Sequence, residues 1–492
     1  MRHVEVRRGL YRDSVRLMQI SADLSDLPGV RAALVAMGTG TNLDMLPDMG
    51  FAAPDPAGPN DLVVALHTAD DAAMVAALER LEADLDVRRG TLQSFFGKEG
   101  APAYRPRTAG SAVRAFGATL VLVSTPGRYA FVEAMDALDA GASVMVFSDN
   151  VPMSQEVALK RAAVDRGLLV MGPDCGTAVV AGVGLGFANV VRPGPVGLVA
   201  ASGTGAQQVM ALLGWAGVGL SHCLGVGGRD LSAEVGGVST LAALDALDAD
   251  PATELIVVVS KPAAGPVAEA VADRAAGLAT PVVMADIGPG RPDLTAVVEG
   301  ILPRLGVAPA AWPTWGGPAL ETDGGFVRGL FGGGTLCQEA MAVTTGTLGE
   351  IRSNVPLRPE WSLNSSDAGH VMIDLGADEY TRGRPHPMID MGPRLTRLAA
   401  EAADPRCRVL LLDVVLGHGA HADPARELAP AIRSARAARP SLDVVVTLVG
   451  TEDDPQGLRA QVEALTASGA LLFASNAGAA RHAARLAAGG PA

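Results

Sequence analysis

Residues 196–217, with the sequence VGLVAASGTGAQQVMALLGWAG, decide the fold. An apolar run ends at a Ser/Gly/Thr turn, and an apolar helical pattern follows at once. This order predicts a buried strand, a tight turn and a helix, which is the repeating unit of parallel α/β sheets. The stretch FVRGLFGGGTLCQEAMAVTTG at 326–346 has the same order, so the unit occurs twice.

Strand and helix patterns alternate on both sides of these two units. LDALDADPATELIVVVS after the first unit aligns with LAAEAADPRCRVLLLDV after the second. The copies lie about 130 residues apart, a spacing typical of a duplicated domain and not of a solenoid. We predict an α/β protein with four domains: a small N-terminal α+β domain at 1–90, a Rossmann-like domain at 110–194, and two duplicated flavodoxin-like domains at 195–290 and 321–485.

Two further local predictions concern the N-terminal part of the chain. The Gly- and Thr-containing stretch at 38–50 is predicted to be a turn. The polar stretch at 88–108 contains Gly and Pro and follows neither the helical nor the strand period, so it is predicted to be a linker.

Composition and charge narrow the possible partners. The formal net charge is -14 and no Lys/Arg cluster is apparent, which argues against nucleic acid. The four cysteines lie far apart, so neither a disulfide framework nor a structural zinc site is predicted. No apolar stretch reaches the roughly 18 residues of a membrane span, and no signal peptide is apparent. We expect a cytoplasmic protein with no membrane partner and no metal.

The Gly-rich turns are candidate anion sites. Each exposes backbone N–H groups at a helix N-terminus, where the helix dipole favours negative charge and glycine permits close approach. Neither turn matches the Walker or dinucleotide fingerprint. Ser and Thr are also ordinary N-caps, and this alternative stays open for each turn. The candidate phosphate- and substrate-binding residues are Ser202, Gly203, Thr204, Gly205, Gly332, Gly333, Gly334 and Thr335.

GPDCGT at 172–177 ends a strand of the Rossmann-like domain. Ligands of open α/β sheets bind at the carboxyl ends of strands, so the polar residues of this turn are candidates to line a crevice. These residues are Asp174, Cys175 and Thr177. The alternative is a tight turn with a half-buried cysteine.

Two loops that follow strands carry arginines. GVGGRDLS contains Arg229, and DLGADEYTRGRPHP contains Arg382 and Arg384. A guanidinium suits bidentate contact with a carboxylate or a phosphate, and the neighbouring glycines permit close approach. The alternative is that these arginines are solvent-exposed and bind nothing.

The loop GHGAH at 417–421 follows a long apolar strand. It supplies His418 and His421 as candidate catalytic residues, either as a general acid and base or as a phosphorylated nucleophile. Asp413 and Asp423 lie close enough in sequence to orient an imidazole. The alternative is that both histidines are plain loop residues.

The segment from about 110 to 290 resembles the α subunit of succinyl-CoA synthetase. The motifs that carry this resemblance are SDNVP, GPDCGT, PGPVGLVAASGTG, GVGGRDLS and DPATELIVVV. Residues 326–480 resemble the carboxyl-terminal domain of that enzyme's β subunit. The resemblance implies a CoA-binding-type domain at 110–194 and two Gly-rich helix starts that face one another. The family's phosphohistidine motif GHAGA is missing near 286–300, and no ATP-grasp domain is apparent, which argues against nucleotide-driven acyl-CoA synthesis.

Over its whole length the chain closely resembles the FdrA family. The segments that carry this are MRHVEVRRGLYRDSVRLMQIS, MGTGTN, FGGGTLCQEAM and DVVLGHGAHADPA. The resemblance implies a subunit of an oxamate carbamoyltransferase that acts with two partner subunits in allantoin catabolism. Its reaction is phosphorolysis of oxalurate to oxamate and carbamoyl phosphate. The implied small molecules are a ureido acid, inorganic phosphate and carbamoyl phosphate.

Other functions stay open beside this one. The chain is alternatively an acyl-CoA synthetase-like enzyme that binds CoA, or a non-catalytic scaffold subunit. No cofactor is assigned, CoA and a homo-oligomer are left open, and the two Gly-rich helix starts are expected to converge to within about 20 Å if they share one phosphate.

Overall fold

The computed structural model describes residues 1–12, 14–52, 54, 57–96, 106–260, 263–317, 324–363, 369–382 and 385–489. The chain divides into two compact units. The first is Met1–Gly117 with Thr381–Pro385, and the second is Ala118–Tyr380 with His386–Ala492. The fold class is α/β, as predicted, with mostly parallel sheets in the second unit.

The first unit contains a three-stranded antiparallel sheet in the order β1-β3-β2. Its elements are β1 Arg2–Arg7, α1 Ser14–Ser25, β2 Val30–Met37, α2 Gly40–Asp48, β3 Leu62–Thr68, α3 Asp71–Phe96 and α4 Ala109–Phe116. Successive residues of β3 point to opposite faces of the sheet. One set packs with α1 and α3 and the other with α2, so the central strand is buried on both faces.

Both local predictions for this unit need correction. Much of the predicted turn at 38–50 is the helix α2, because Thr39 caps it: the Thr39 Oγ1 accepts a hydrogen bond from the Asn42 N–H at 3.4 Å. The predicted linker begins too early, because α3 continues to Phe96. The part of α3 before Arg88 is rich in Ala, Leu and Glu, which are strong helix formers, and the helix that they start continues into the predicted linker.

The second unit begins with a parallel three-stranded sheet in the order β4-β5-β6. Its elements are β4 Leu120–Val123, α5 Gly127–Asp139, β5 Ser143–Val146, α6 Met153–Val164 and β6 Val170–Met171. The strand and helix order here is the β-α-β-α-β pattern expected of a Rossmann-like domain.

A six-stranded sheet follows, in the order β12-β11-β9-β10-β7-β8. Its elements are β7 Thr177–Val180, β8 Val183–Gly186, β9 Pro193–Ala200, α7 Gly203–Trp215, β10 Leu220–Gly225, α8 Val238–Asp248, β11 Leu255–Ser260, α9 Gly265–Ala276, β12 Val282–Asp286 and α10 Leu294–Ile301. The antiparallel hairpin β7-β8 joins this sheet through β10. The domain boundary predicted at 194/195 therefore runs through one sheet.

A seven-stranded sheet has the order β13-β19-β18-β17-β14-β16-β15. The elements of this part of the chain are β13 Thr314–Trp315, β14 Phe326–Phe331, α11 Gly334–Leu348, β15 Ile351–Arg352, β16 His370–Asp374, α12 Asp378–Thr381, α13 Gly392–Ala403, β17 Cys407–Val415, α14 Pro424–Ala438, β18 Asp443–Val449, α15 Leu458–Ala467, β19 Leu471–Phe473 and α16 Asn476–Ala487. β17 and β18 are buried along their whole length, as expected of parallel strands covered on both faces.

The two larger sheets repeat one strand order. The four strands β12-β11-β9-β10 of the first correspond to β18-β17-β14-β16 of the second, and neighbours within each set are parallel. In each copy the first of these strands in the chain, β9 or β14, is followed by a Gly-rich turn and a helix, α7 or α11. The duplication predicted from the aligned segments is therefore present in the topology.

The helix α11 carries a buried carboxyl group, Glu339. Its Oε1 accepts a hydrogen bond from the Leu294 N–H at 2.6 Å, and its Oε2 accepts one from the Asn476 Nδ2 at 2.7 Å. Burial outweighs these hydrogen bonds and raises the pKa of Glu339 to about 7.

This pKa predicts how stability depends on pH. The folded chain holds the Glu339 proton to a higher pH than the unfolded chain does, so the stability that depends on protonated Glu339 is lost as pH rises from 4.5 to about 7. We expect the non-titrating variant Glu339→Gln to lack this loss. In thermal melts across that pH range, the Tm of the variant minus that of the wild type should increase with pH and level off above it. A difference that does not change with pH would contradict the assignment.

Candidate functional site

The starts of α7 and α11 meet in the second unit. Ser202 is the N-cap of α7, and its Oγ accepts a hydrogen bond from the Gly205 N–H at 3.1 Å. The same hydroxyl is hydrogen-bonded to the Thr335 Oγ1 in the first turn of α11. The expected convergence of the two helix starts is therefore confirmed.

Several backbone N–H groups at this junction have no acceptor among the described residues. They belong to Gly203 and Thr204 in α7 and to Gly334 and Thr335 in α11. Three of these residues, Gly203, Thr204 and Gly334, are partly exposed, so a small molecule can approach them. Two helix dipoles end here with unpaired donors, which is the arrangement that binds anions.

Two glycines of the turns have a packing role. A Cβ on Gly205 would lie 2.8 Å from the Ser202 Oγ and 3.0 Å from the Thr335 Cγ2. A Cβ on Gly333 would lie 2.9 Å from the Thr204 Oγ1. None of the turn glycines has a positive φ. Gly205 and Gly333 are therefore needed because a side chain would not fit between the two helix starts, and not because of a special backbone conformation.

The N–H groups of Gly332 and Gly333 already hold an anion that belongs to the protein. They donate to the Oδ1 and Oδ2 of Asp413, each at 2.8 Å. Asp413 is buried and forms an ion pair with buried Arg394. These two glycines are therefore not phosphate ligands. Asp413 anchors the turn before α11 and does not orient a histidine, as the sequence had suggested.

Thr177 is the residue of GPDCGT that reaches the junction. Its Oγ1 lies 3.1 Å from the position that a Cβ on Gly203 would occupy. Cys175 is buried, and burial raises the pKa of its thiol to about 12, so it is not a nucleophile. Asp174 is exposed and its N–H donates to the Ser148 carbonyl at 2.9 Å. The burial of Cys175 and the hydrogen bond of the Asp174 N–H favour the alternative that these two residues form a tight turn and do not bind a ligand.

Asp374 and His386 lie beside the start of α11, and neither was singled out from the sequence. A Cβ on Gly334 would lie 2.4 Å from the Asp374 Oδ2. A Cβ on Gly376 would lie 3.2 Å from the Asp374 Oδ1 and 2.7 Å from the His386 Nε2. The His386 Nδ1 accepts a hydrogen bond from the Met388 N–H at 3.2 Å, so the ring proton of neutral His386 is on Nε2.

The surroundings of His386 keep its imidazole neutral. Its ring centroid lies 5.9 Å from that of Phe187. Burial, followed by the nearby charge of Arg394, lowers the pKa of His386 to about 4. At neutral pH the side chain is therefore a hydrogen-bond donor through Nε2 and carries no charge. The sequence signal that could have pointed to Asp374 and His386 is their segment, which follows a strand in the aligned repeat.

Of the predicted arginines, Arg229 is held by partners within the second unit. Arg229 forms an ion pair with buried Glu156 at 2.8 Å and donates to the Val151 carbonyl at 2.8 Å, so its guanidinium has internal partners. Arg382 is exposed. Arg384 lies outside the described residues.

The two predicted catalytic histidines make other contacts. His418 is exposed, and its backbone N–H donates to the Ala188 carbonyl at 2.8 Å. The His421 Nδ1 accepts a hydrogen bond from the Asp423 N–H at 3.0 Å, and its Nε2 lies 2.9 Å from the Glu427 Oε1. Both ring nitrogens of His421 are therefore occupied by its own loop and the helix that follows. These contacts favour the alternative that His418 and His421 are plain loop residues and not catalytic residues.

Substitutions of exposed residues away from a site change the free energy of unfolding by about 0.5 kcal/mol or less. If the effect on the activation free energy is as small, His418→Ala should keep turnover within about twofold of wild type. Steady-state kinetics of the assembled protein measure this. Complete loss of turnover in a folded His418→Ala variant would instead indicate a phosphohistidine.

Among the described residues, no helix is long and apolar enough to cross a membrane. Within the same residues, no group of three or more His, Cys, Asp or Glu side chains is arranged to hold a metal ion.

Two copies of one parallel fold, joined at Gly-rich helix starts, define a succinyl-CoA-synthetase-like α/β protein. A family model described as "CoA-ligase" matches residues 330–486, and one described as "AllF, heavy metal-associated domain" matches residues 1–99. The YahF protein of Escherichia coli is 35% identical over 504 residues, covering 96% of each chain. This chain belongs to the same family as YahF.

Two further proteins match this chain at lower sequence identity. The α subunit of malate–CoA ligase from Methylorubrum extorquens is 28% identical over 170 residues, which is 33% of this chain and 55% of that subunit. The solved dinucleotide-forming acetyl-coenzyme A synthetase 1 of Ca. Korarchaeum cryptofilum has 16% identity and a TM-score of 0.32. That match covers 82% of this chain and 92% of the other.

Proposed function

We propose that the chain transfers a carbamoyl group to phosphate, as a subunit of an oxamate carbamoyltransferase that acts with two partner subunits. The observation that carries this proposal is the junction of α7 and α11, where unpaired N–H groups from two helix starts adjoin one another. Phosphate and the oxyanion of an acyl-transfer intermediate both need such donors. The substrate, oxalurate, is taken from the resemblance to the FdrA family.

In the proposed reaction a phosphate oxygen attacks the carbamoyl carbon of oxalurate. The carbonyl oxygen becomes an oxyanion that accepts hydrogen bonds from N–H groups such as those of Gly334 and Thr335. The bond from that carbon to the oxamate nitrogen then breaks, and the nitrogen takes the proton that phosphate loses. Carbamoyl phosphate and oxamate are the products, and no oxidant or nucleotide is needed.

Asp374 and His386 suit two tasks in this scheme. The carboxylate of Asp374 can accept hydrogen bonds from the ureido N–H groups of the substrate. The Nε2–H of neutral His386 can donate to a carbonyl oxygen as charge develops on it. An uncharged donor does this without repelling the Asp374-bound N–H groups.

A second candidate is an acyl-CoA ligase-type reaction. It is favoured by the match of residues 330–486 to the CoA-ligase model and by the likeness to the α subunit of malate–CoA ligase. CoA would then bind in the domain at 110–194.

One experiment separates the two candidates. The chain is coexpressed with the products of its neighbouring genes, and the purified assembly is supplied with oxalurate and phosphate or with a carboxylic acid, ATP and CoA. We expect carbamoyl phosphate and oxamate in equal amounts from the first mixture and no acyl-CoA from the second. Acyl-CoA formation without carbamoyl phosphate would overturn the proposal in favour of the ligase.

A further inference from the structure

A buried glutamine on α7 lacks partners for its side chain. Gln207 is 1% exposed, and neither its Nε2 nor its Oε1 has a hydrogen-bond partner among the described residues. Its neighbour Gln208 is as deeply buried, but its Nε2 donates to the Ala474 carbonyl at 3.0 Å and its Oε1 accepts from the Asn476 N–H at 3.2 Å. Buried polar groups in proteins are normally paired, so the amide of Gln207 needs an explanation.

The position of Gln207 connects it to the junction of the helix starts. It follows Gly203 and Thr204 by four and three residues and so lies on the same helix face. Side chains of a helix lean toward its N-terminus, and from this we infer that the Gln207 amide lies over the turn that carries the unpaired N–H groups. On this side of α7, Gly203 faces the hydroxyl of Thr177. The backbone donors, the hydroxyl and the unpaired primary amide thus belong to one side of α7.

We propose that Gln207 is a specificity residue that binds the terminal amide of the substrate, and this inference rests on the proposed function. A glutamine amide presents one N–H donor and one carbonyl acceptor side by side. A terminal –CO–NH2 group presents the complementary pair. A carboxylate or a phosphate offers acceptors alone and would leave the Gln207 Oε1 facing another acceptor. Gln207 therefore selects a carbamoyl or ureido group over an acid of the same shape.

The test uses Gln207→Met, which keeps the length and burial of the side chain and removes both polar atoms. In the assembled complex we expect the KM for oxalurate to rise about tenfold or more, the scale of 1.4 kcal/mol of lost binding, while the KM for phosphate changes little. A second readout is inhibition by an oxalurate analogue whose terminal NH2 is replaced by CH3. Wild type should bind this analogue about tenfold more weakly than oxalurate, and Gln207→Met should discriminate clearly less between the two, with the remaining preference due to Asp374.

The matched control is Gln208→Met, which removes an adjacent glutamine whose hydrogen bonds are internal. It should lower the Tm and leave both KM values and the discrimination against the analogue unchanged. If Gln207→Met is active with an unchanged KM for oxalurate and intact discrimination, Gln207 is not the amide-binding residue. If the wild-type complex forms no carbamoyl phosphate at all, the proposed function itself is overturned, and the role of Gln207 with it.

Discussion

Turnover of the assembled complex should fall by at least about 100-fold in Gly334→Val, the scale of losing one oxyanion donor. A Cβ at Gly334 would lie 2.4 Å from the Asp374 Oδ2. That carboxylate accepts a hydrogen bond from the Gly376 N–H at 2.9 Å, so it cannot yield without breaking this contact. The valine would also cover the N–H groups at the start of α11. Steady-state kinetics measure the loss, and circular dichroism checks the fold.

The control for this variant lies on the same helix. Gly346 has no atom within 4 Å of its Cβ position, so Gly346→Val introduces the same side chain into α11 without a clash. It should retain nearly full turnover. Gly203→Val tests the other helix start, where a Cβ would lie 3.1 Å from the Thr177 Oγ1, and should also reduce turnover. Normal activity in both Gly334→Val and Gly203→Val would refute phosphate or oxyanion binding at the junction.

Stability should fall most in Asp413→Ala. This change leaves the buried guanidinium of Arg394 without its carboxylate and removes the acceptor of the Gly332 and Gly333 N–H groups. Burial lowers the pKa of Arg394 to about 10, so it remains charged at neutral pH. Breaking a buried ion pair by removing one partner costs about 3–5 kcal/mol. A shift of that size in the free energy of unfolding is measurable from urea-unfolding midpoints.

Two further variants test whether the broken buried ion pair causes this loss of stability. The double variant Asp413→Leu with Arg394→Met replaces the buried pair by apolar groups and should be more stable than Asp413→Ala alone. Arg406→Ala removes an exposed partner of Asp404, where water screens the charges, and should shift the unfolding midpoint far less than Asp413→Ala does. An Asp413→Ala variant as stable as Arg406→Ala would contradict the anchoring role of Asp413.

The strands and helices of the second unit were largely predictable because their signals are local. The strand β11 begins with five consecutive apolar residues, and β17 contains the apolar run Val409–Leu412. Each strand is followed by a polar loop and a helical pattern. Alignment of the two Gly-rich turns then implied a shared strand order. The boundary at 194/195 was less predictable, because the pairing of β7 with β10 is a contact between distant segments.

Site residues were harder to predict, since a side chain's role depends on what faces it. Both His418 and His386 follow strands in the sequence, yet one is exposed and the other stands beside Asp374 near a helix start. No sequence spacing shows that the Asp413 carboxylate binds the N–H groups of Gly332 and Gly333, which lie about 80 residues earlier in the chain.

By itself the sequence determined the α/β class, the duplication and the presence of two Gly-rich helix starts, because hydrophobic period and turn chemistry act over a few residues. Tertiary structure alone decided which of those N–H groups remain unpaired, which histidine is neutral and beside them, and which buried glutamine lacks a partner. These properties arise when the ends of separate strands meet at one edge, where burial and facing charges set the state of each group.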